Sequence, residues 1–273
     1  MNPIAAATRN NAVRRGLSLV VASFLWAVSA AAHDFWIEPE SFRLDAGSIV
    51  RIHLRVGERF EGDPVARSSD LIERFAFVTA NGETNVVGRD GLDPAGIARI
   101  EKSGVIVYRS RGTPLELTRE KFDQFVALEG LQWLPVERAR RGEANAPWRE
   151  SFSRCAKALL LTKSDAAPAF TKAVGLRLEL IPQANPYALA PGKSLPVRLE
   201  FEGKPLVGAL IVAINVNDPT RRVERRSDRQ GRVEIPLDRS GAWLIKAVHV
   251  VRAPAGANVE WESLWASLIF DLG

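Results

Sequence analysis

Three residues of this sequence are suited to binding chemistry above all others: His33, His53 and His249, its only histidines. Sulfur ligands are nearly absent, because Cys155 is the one cysteine and Met1 the one methionine. A metal site here must therefore be built from nitrogen and oxygen, the donor set that suits Ni(II), Co(II) or Cu(II). A single cysteine excludes an intramolecular disulfide. Following an apolar and basic stretch, that thiol reads as a small packed side chain rather than a nucleophile.

His33 draws its interest from what precedes it. Residues 1–32 read as a secretory signal: Arg9, Arg14 and Arg15, an apolar run from Leu17 to Val28, then small residues. The apolar run is too short for a comfortable membrane-spanning helix, and no later stretch reaches that length. The mature chain is expected to be periplasmic or secreted, cut after Ala30 or after Ala32. A cut after Ala32 makes His33 the first residue, and its α-amino group and ring Nδ1 then chelate one ion. A second histidine completes a three-nitrogen brace of the kind Cu(II) favours. A cut after Ala30 leaves Ala31-Ala32-His33, which wraps amine, two amides and imidazole around a square plane for Cu(II) or Ni(II). Either chelate needs a deprotonated amine, whose reference pKa is about 7.7 to 8.0, so binding weakens in acid. The plain alternative is a histidine that happens to follow a signal peptide, its terminus frayed.

His53 alternates with Arg51 and Arg55 on the polar face of a strand. Two flanking cations disfavour the imidazolium and keep the ring able to ligate, but the same pattern describes a solvated basic face. His249 is in phase with Ile245, Ala247 and Val251, so it reads as a core or sheet-interface histidine, with the carboxylates of Glu260 and Glu262 expected near its hairpin. One site drawing on His33, His53 and His249 requires the N-terminus to thread back between two domains.

Other chemistries fare worse. There is no Gly-x-Ser-x-Gly elbow, no His-Glu-x-x-His run and no glycine-rich phosphate loop, so no enzyme is expected. A histidine-brace copper oxygenase is the one catalytic reading that His33 permits. Asp34, Glu38 and Glu40 read as a solvated acidic surface. The tryptophans Trp36, Trp133, Trp148, Trp243, Trp261 and Trp265 suit either a carbohydrate or partner groove or a sandwich core. Removing the three leader arginines from 37 basic residues leaves 34 against 32 acidic ones, a balance of +2. That balance, with no basic stripe interleaved with aromatics, excludes nucleic acid as the expected partner.

The elements that must position these residues are short strands. Val50, Ile52, Leu54 and Val56 alternate with Arg51, His53 and Arg55 over Ser48–Val56, and Gly57–Pro64 then reads as a loop. Arg74–Ala80 turns at Asn81-Gly82 into Thr84–Val87, and Gly104–Arg109 is a further strand. Thr118 caps a helix carrying Phe122, Phe125 and Val126 and ending before Gly130. Residues 135–148 read as a loop or short helix. Beyond a small and polar boundary at 163–172, strands recur around Leu178, Leu195–Phe201, Ala209–Val216 and Arg232–Ile235. Trp243–Arg252 and Trp261–Leu272 close the chain as a hairpin. The expectation is an all-β protein of two β-sandwich domains, 33–165 with a short helical insertion and 174–273 with an immunoglobulin-like strand count.

Several motifs together resemble one exported family. They are His33–Pro39, Val56–Pro64, Asn185–Leu189, Trp243–His249 and Trp261–Ser267. The chain is similar to the DUF4198 family, a domain of unknown function, and the likeness spans nearly all of the mature chain. Some members of that family are associated with periplasmic nickel or cobalt uptake. The resemblance implies a β-rich exported protein that binds a divalent transition metal and passes it to a membrane transporter. The reading set against it is a metal-free module for carbohydrate or a protein partner.

Overall fold

The protein is known from a computed structural model, which describes residues 33–163 and 169–273. The expected leader lies outside the described residues, as does half of the expected domain boundary at 163–172. The N-terminal half contributes β1 (Asp34–Pro39), β2 (Arg43–Leu44), β3 (Ser48–Glu58), β4 (Glu61–Pro64), β5 (Ile72–Thr79), β6 (Gly82–Asn85), β7 (Gly96–Ile100), β8 (Gly104–Ser110) and β9 (Thr113–Leu117). Helices α1 (Arg119–Leu128) and α2 (Trp133–Arg140) lead into the long β10 (Trp148–Thr162). The C-terminal half supplies β11 (Leu178–Pro182), β12 (Lys193–Phe201), β13 (Lys204–Pro205), β14 (Leu210–Asn215), β15 (Asp218–Arg226), β16 (Arg232–Leu237), β17 (Ala242–Arg252) and β18 (Trp261–Asp271).

These strands make a β-sandwich architecture, as the alternation of apolar and polar residues demands. One sheet follows the order β1-β3-β4, with β7 also on β3; another follows β11-β12-β13, with β16 also on β12. Between them runs a ten-stranded sheet, β15-β14-β17-β18-β10-β8-β5-β6, with β2 and β9 also on β10. The two halves thus share one sheet, joined where β10 lies parallel to β18 from the Glu150–Trp261 pair to Ala158–Ile269. The shared sheet is covered on both faces, which is why β10 and β18 lack clean alternation. Val105, Cys155, Leu159, Leu264 and Leu268 pack with Leu178, Leu195 and Leu199 on one face. Ile106, Ala156, Ala158 and Ile269 pack with Ile37, Ile52 and Leu54 on the other. Cys155 belongs to the first of these cores, and burial pushes its thiol pKa up, so it is an inert packed side chain.

Helix α1 begins where expected: the Thr118 side chain accepts from the Lys121 amide. It buries Phe122, Phe125 and Val126 against Trp148, Trp261 and Trp265. Trp36, Trp148, Trp243, Trp261 and Trp265 are all at most 5 % exposed, the sandwich-core placement that the sequence allowed for them. Among the described tryptophans only Trp133, on α2, is open to solvent. No helix among the described residues is long and apolar enough to cross a membrane.

The expected loop at Gly57–Pro64 is instead a hairpin. β3 runs on to Glu58 and returns as β4 through Arg59 and Phe60, both at positive φ (54° and 63°). That turn conformation is usually signalled by Asn-Gly or Asp-Gly, and neither pair occurs there.

Candidate functional site

The β1–β3–β4 sheet sets the position of His33. Asp34 pairs with Gly57, and Gly57 with Gly62, so His33 begins the row in which Glu58 faces Glu61. The ring Nε2 lies 3.8 Å from Glu58 Oε1. Nδ1 is buried and has no hydrogen-bond partner among the described residues. A depression of about 240 Å³ opens beside the ring, with Glu61 and Asp63 in its wall. One histidine and two acidic residues, Glu61 and Asp63, therefore line a small open space at the start of β1.

His53 sits elsewhere. It pairs with Glu38 at the other end of β1, five residues along β3 from Glu58. At a strand rise near 3.3 Å per residue, the backbones of the two histidines are offset by roughly 16 Å along the sheet. Nδ1 of His53 lies 2.8 Å from Asp93 Oδ1. Its flanking cations are both taken, Arg51 by Glu40 at 3.0 Å and Arg55 by Glu38 at 2.6 Å. The expected pair of bare positive charges is thus an alternating ionic lattice, Arg55 answered from β1 and Arg51 from Glu40 just beyond it.

His249 belongs to a third place. It pairs with Leu264 and packs edge-on to Phe201, with 4.7 Å between ring centroids. Burial pulls its pKa down to about 4, against the opposing pull of Glu202. Glu262, expected to support it, is held by Arg177 at 3.0 Å instead. Lys246, three residues earlier on the same strand, contacts Asp34 on the opposite face of the sheet. The shared sheet therefore separates His249 from His33. Ligand bonds near 2 Å cannot bridge these separations, so His33, His53 and His249 do not meet at one ion. Among the described residues, no group of three or more His, Cys, Asp or Glu is set to hold a metal.

A model of the family described as a domain of unknown function, DUF4198, matches residues 30–251. The chain belongs to that family. No curated protein is similar to it. Among solved structures it is similar to the D0-D1 domain of intimin, at 11 % identity over 87 % of this chain and 97 % of that one, with a TM-score of 0.20. A superposition so loose adds nothing to the architecture described above.

The residues around His33 that sequence reasoning missed are cationic and deeply buried. Arg154 donates to the His33 carbonyl at 3.1 Å and stacks over Trp265 (4.9 Å), Phe152 (5.1 Å) and Phe35 (5.6 Å). Lys246 binds Asp34 and also Glu129, the latter at 3.0 Å. Asp34 is 6 % exposed, not a member of a solvated acidic surface. The His33 carbonyl and the Asp34 carboxylate are thus each held by a cation, Arg154 from β10 and Lys246 from β17. Phase along the strands gave a partial signal: Lys246 falls with Leu244 and Val248, an apolar set in which a lysine requires a partner.

Proposed function

We propose that the protein is an exported binder of a divalent transition metal, which it takes at His33 once residues 1–32 are removed and passes to an uptake system. The observation that carries this reading is the buried, unpartnered Nδ1 of His33, on a residue that lines one depression with Glu61 and Asp63 and whose carbonyl is held by Arg154. A cut after Ala32 would place an α-amino nitrogen on the same residue. Amine and Nδ1 then form a chelate, and Glu61 or Asp63 supplies an oxygen ligand from the adjoining depression. Glu58, on the Nε2 side, orients the ring and fixes which nitrogen faces the metal. Clamping by Arg154 and Lys246 counters the fraying expected of a chain end and so lowers the entropic cost of binding. The donor set of nitrogen and carboxylate oxygen favours Ni(II), Co(II) or Cu(II) over ions that demand thiolate.

The test is calorimetric titration of the processed protein, its N-terminus fixed by intact mass, with Ni(II), Co(II) and Cu(II) in turn. One saturable site is expected, lost in His33→Ala and kept in His53→Ala and His249→Phe. Absence of saturable binding, or binding indifferent to His33→Ala, would overturn the reading.

A further inference from the structure

Arg138 is a buried cation that the metal site does not use. It lies on α2, is 3 % exposed, and stacks over Phe122 (4.8 Å to the ring centroid) and Trp148 (5.5 Å). One amino group of its guanidinium donates to the carbonyls of Ala146 (2.6 Å) and Pro147 (3.4 Å), while the buried Nε has no partner. Among the described residues, no ion pair includes Arg138. The neighbouring cations are all engaged: Arg119 with Asp123 at 2.9 Å, Arg252 with Glu143 at 2.9 Å, and Arg149 with Glu260.

Two cavities, of about 350 and 420 Å³, share Arg138, Glu116, Ala146 and Pro147 in their walls. Leu117, Phe122 and Trp148 give the first an apolar lining, and Trp261 adds to the second. The N-terminus of α1 opens on the first cavity at Thr118 and Arg119, so its amide dipoles add positive potential there. Glu143 and Glu260, in the wall of the second cavity, act on Arg138 at longer range but pair with Arg252 and Arg149. A desolvated guanidinium that makes no ion pair, set among aromatic rings at a cavity of ligand size, has the makings of an anion site. Its planar fork matches a carboxylate, and one cation free of an ion pair suits one negative charge. A phosphate dianion would need a second free cation, and Glu116 in both walls would repel it.

We propose that the groove between the two helices and β9–β10 binds the carboxylate of a small, apolar organic acid, Arg138 gripping the carboxylate and Phe122, Leu117 and Trp148 holding the body. This site is independent of any metal at His33. The experiment is calorimetric titration of the full protein with benzoate, butyrate and inorganic phosphate. It compares wild type with Arg138→Met and with Ala144→Trp, which closes the groove from an exposed rim position and leaves Arg138 in place. One saturable site for benzoate or butyrate is expected, weakened at least tenfold in each variant. Should Arg138→Met fail to fold by circular dichroism, Ala144→Trp decides alone. Unchanged affinity in either folded variant, no saturable carboxylate binding, or phosphate binding tighter than both acids overturns the proposal.

Discussion

Lys246 and Asp34 form a buried ion pair across 212 residues of chain, fixing the start of β1 against the middle of β17. Glu129, just past α1, accepts from the same ammonium at 3.0 Å, so one cation stands between two carboxylates. Burial opposes the charge on Lys246, but Glu129 and Asp34 together hold its pKa above the ordinary lysine value. Burial lifts the Glu129 carboxyl above its usual range, against the pull of Lys246. Glu129 is therefore readier to carry a proton than a solvated glutamate. Asp34→Asn is expected to cost about 3–5 kcal/mol, the toll for breaking a buried pair, and Glu129→Gln clearly less. Urea denaturation of both variants at neutral pH measures the difference, and equal losses would refute the asymmetry.

Glu150 is fully buried, and neither carboxylate oxygen makes a hydrogen bond of good geometry. Burial pushes its pKa up to about 7, with Ser263, Trp148 and Arg154 pulling the other way. Between the ordinary value of 4.5 and about 7, the folded protein keeps a proton that the unfolded chain has lost. Stability from this group is therefore full below pH 4.5, falls as pH rises through that window, and stays lost above it. Glu150→Gln removes the titration. Relative to wild type it is expected to gain on the order of 3 kcal/mol above pH 7 and little at pH 4.5. Thermal unfolding across that range reads the gain directly, and a constant difference between the two proteins would count against it.

His249 has the opposite sign. Its pKa is depressed from 6.5 to about 4, so between those values the unfolded chain binds a proton that the folded ring, buried against Phe201, does not. Stability from this group is complete above pH 6.5 and is lost as pH falls toward 4. His249→Phe keeps an aromatic ring beside Phe201 without the proton. The variant should lose stability less steeply than wild type on acidification from pH 6.5 to 4, in melting temperatures taken at fixed ionic strength. Parallel curves would show that the ring does not titrate as its burial demands.

Strands with one polar face were legible from residue alternation alone. Val50, Ile52 and Leu54 face the core of β3 as their spacing requires, and His249 keeps phase with Ile245 and Ala247. β1 resisted that reading because five of its six residues are buried and no alternation survives. β15 was hidden for the opposite reason. As an edge strand it carries Arg221, Arg222, Arg225 and Arg226, charges that discourage pairing with another chain and erase the apolar signal. Around the candidate site, His33 announced itself by its place after the expected leader. Its clamps did not, because Arg154 and Lys246 reach it from 121 and, through Asp34, 212 residues away, and no local spacing encodes such contacts.

The hairpin that carries Glu58, Glu61 and Asp63 to His33 depends on two facing glycines. Gly57 and Gly62 pair across β3 and β4, in the row that starts at Asp34. A Cβ on Gly57 would stand 1.9 Å from the Glu61 carbonyl oxygen, and one on Gly62 would stand 2.4 Å from the ring of Trp36. Trp36 is 1 % exposed and cannot step aside without disturbing the core beneath β1. Gly62→Ala is therefore expected to cost about 1–3 kcal/mol as an overpacking change. Gly57→Ala should cost more, because its obstacle is backbone and only a shift of β4 relieves it. If the proposed metal chelate draws an oxygen from this hairpin, Gly57→Ala should also weaken metal binding while His33 is untouched. Denaturation and metal titration of the same preparations test both statements, and a Gly57→Ala protein as stable as wild type would show that the hairpin has room the packing denies it.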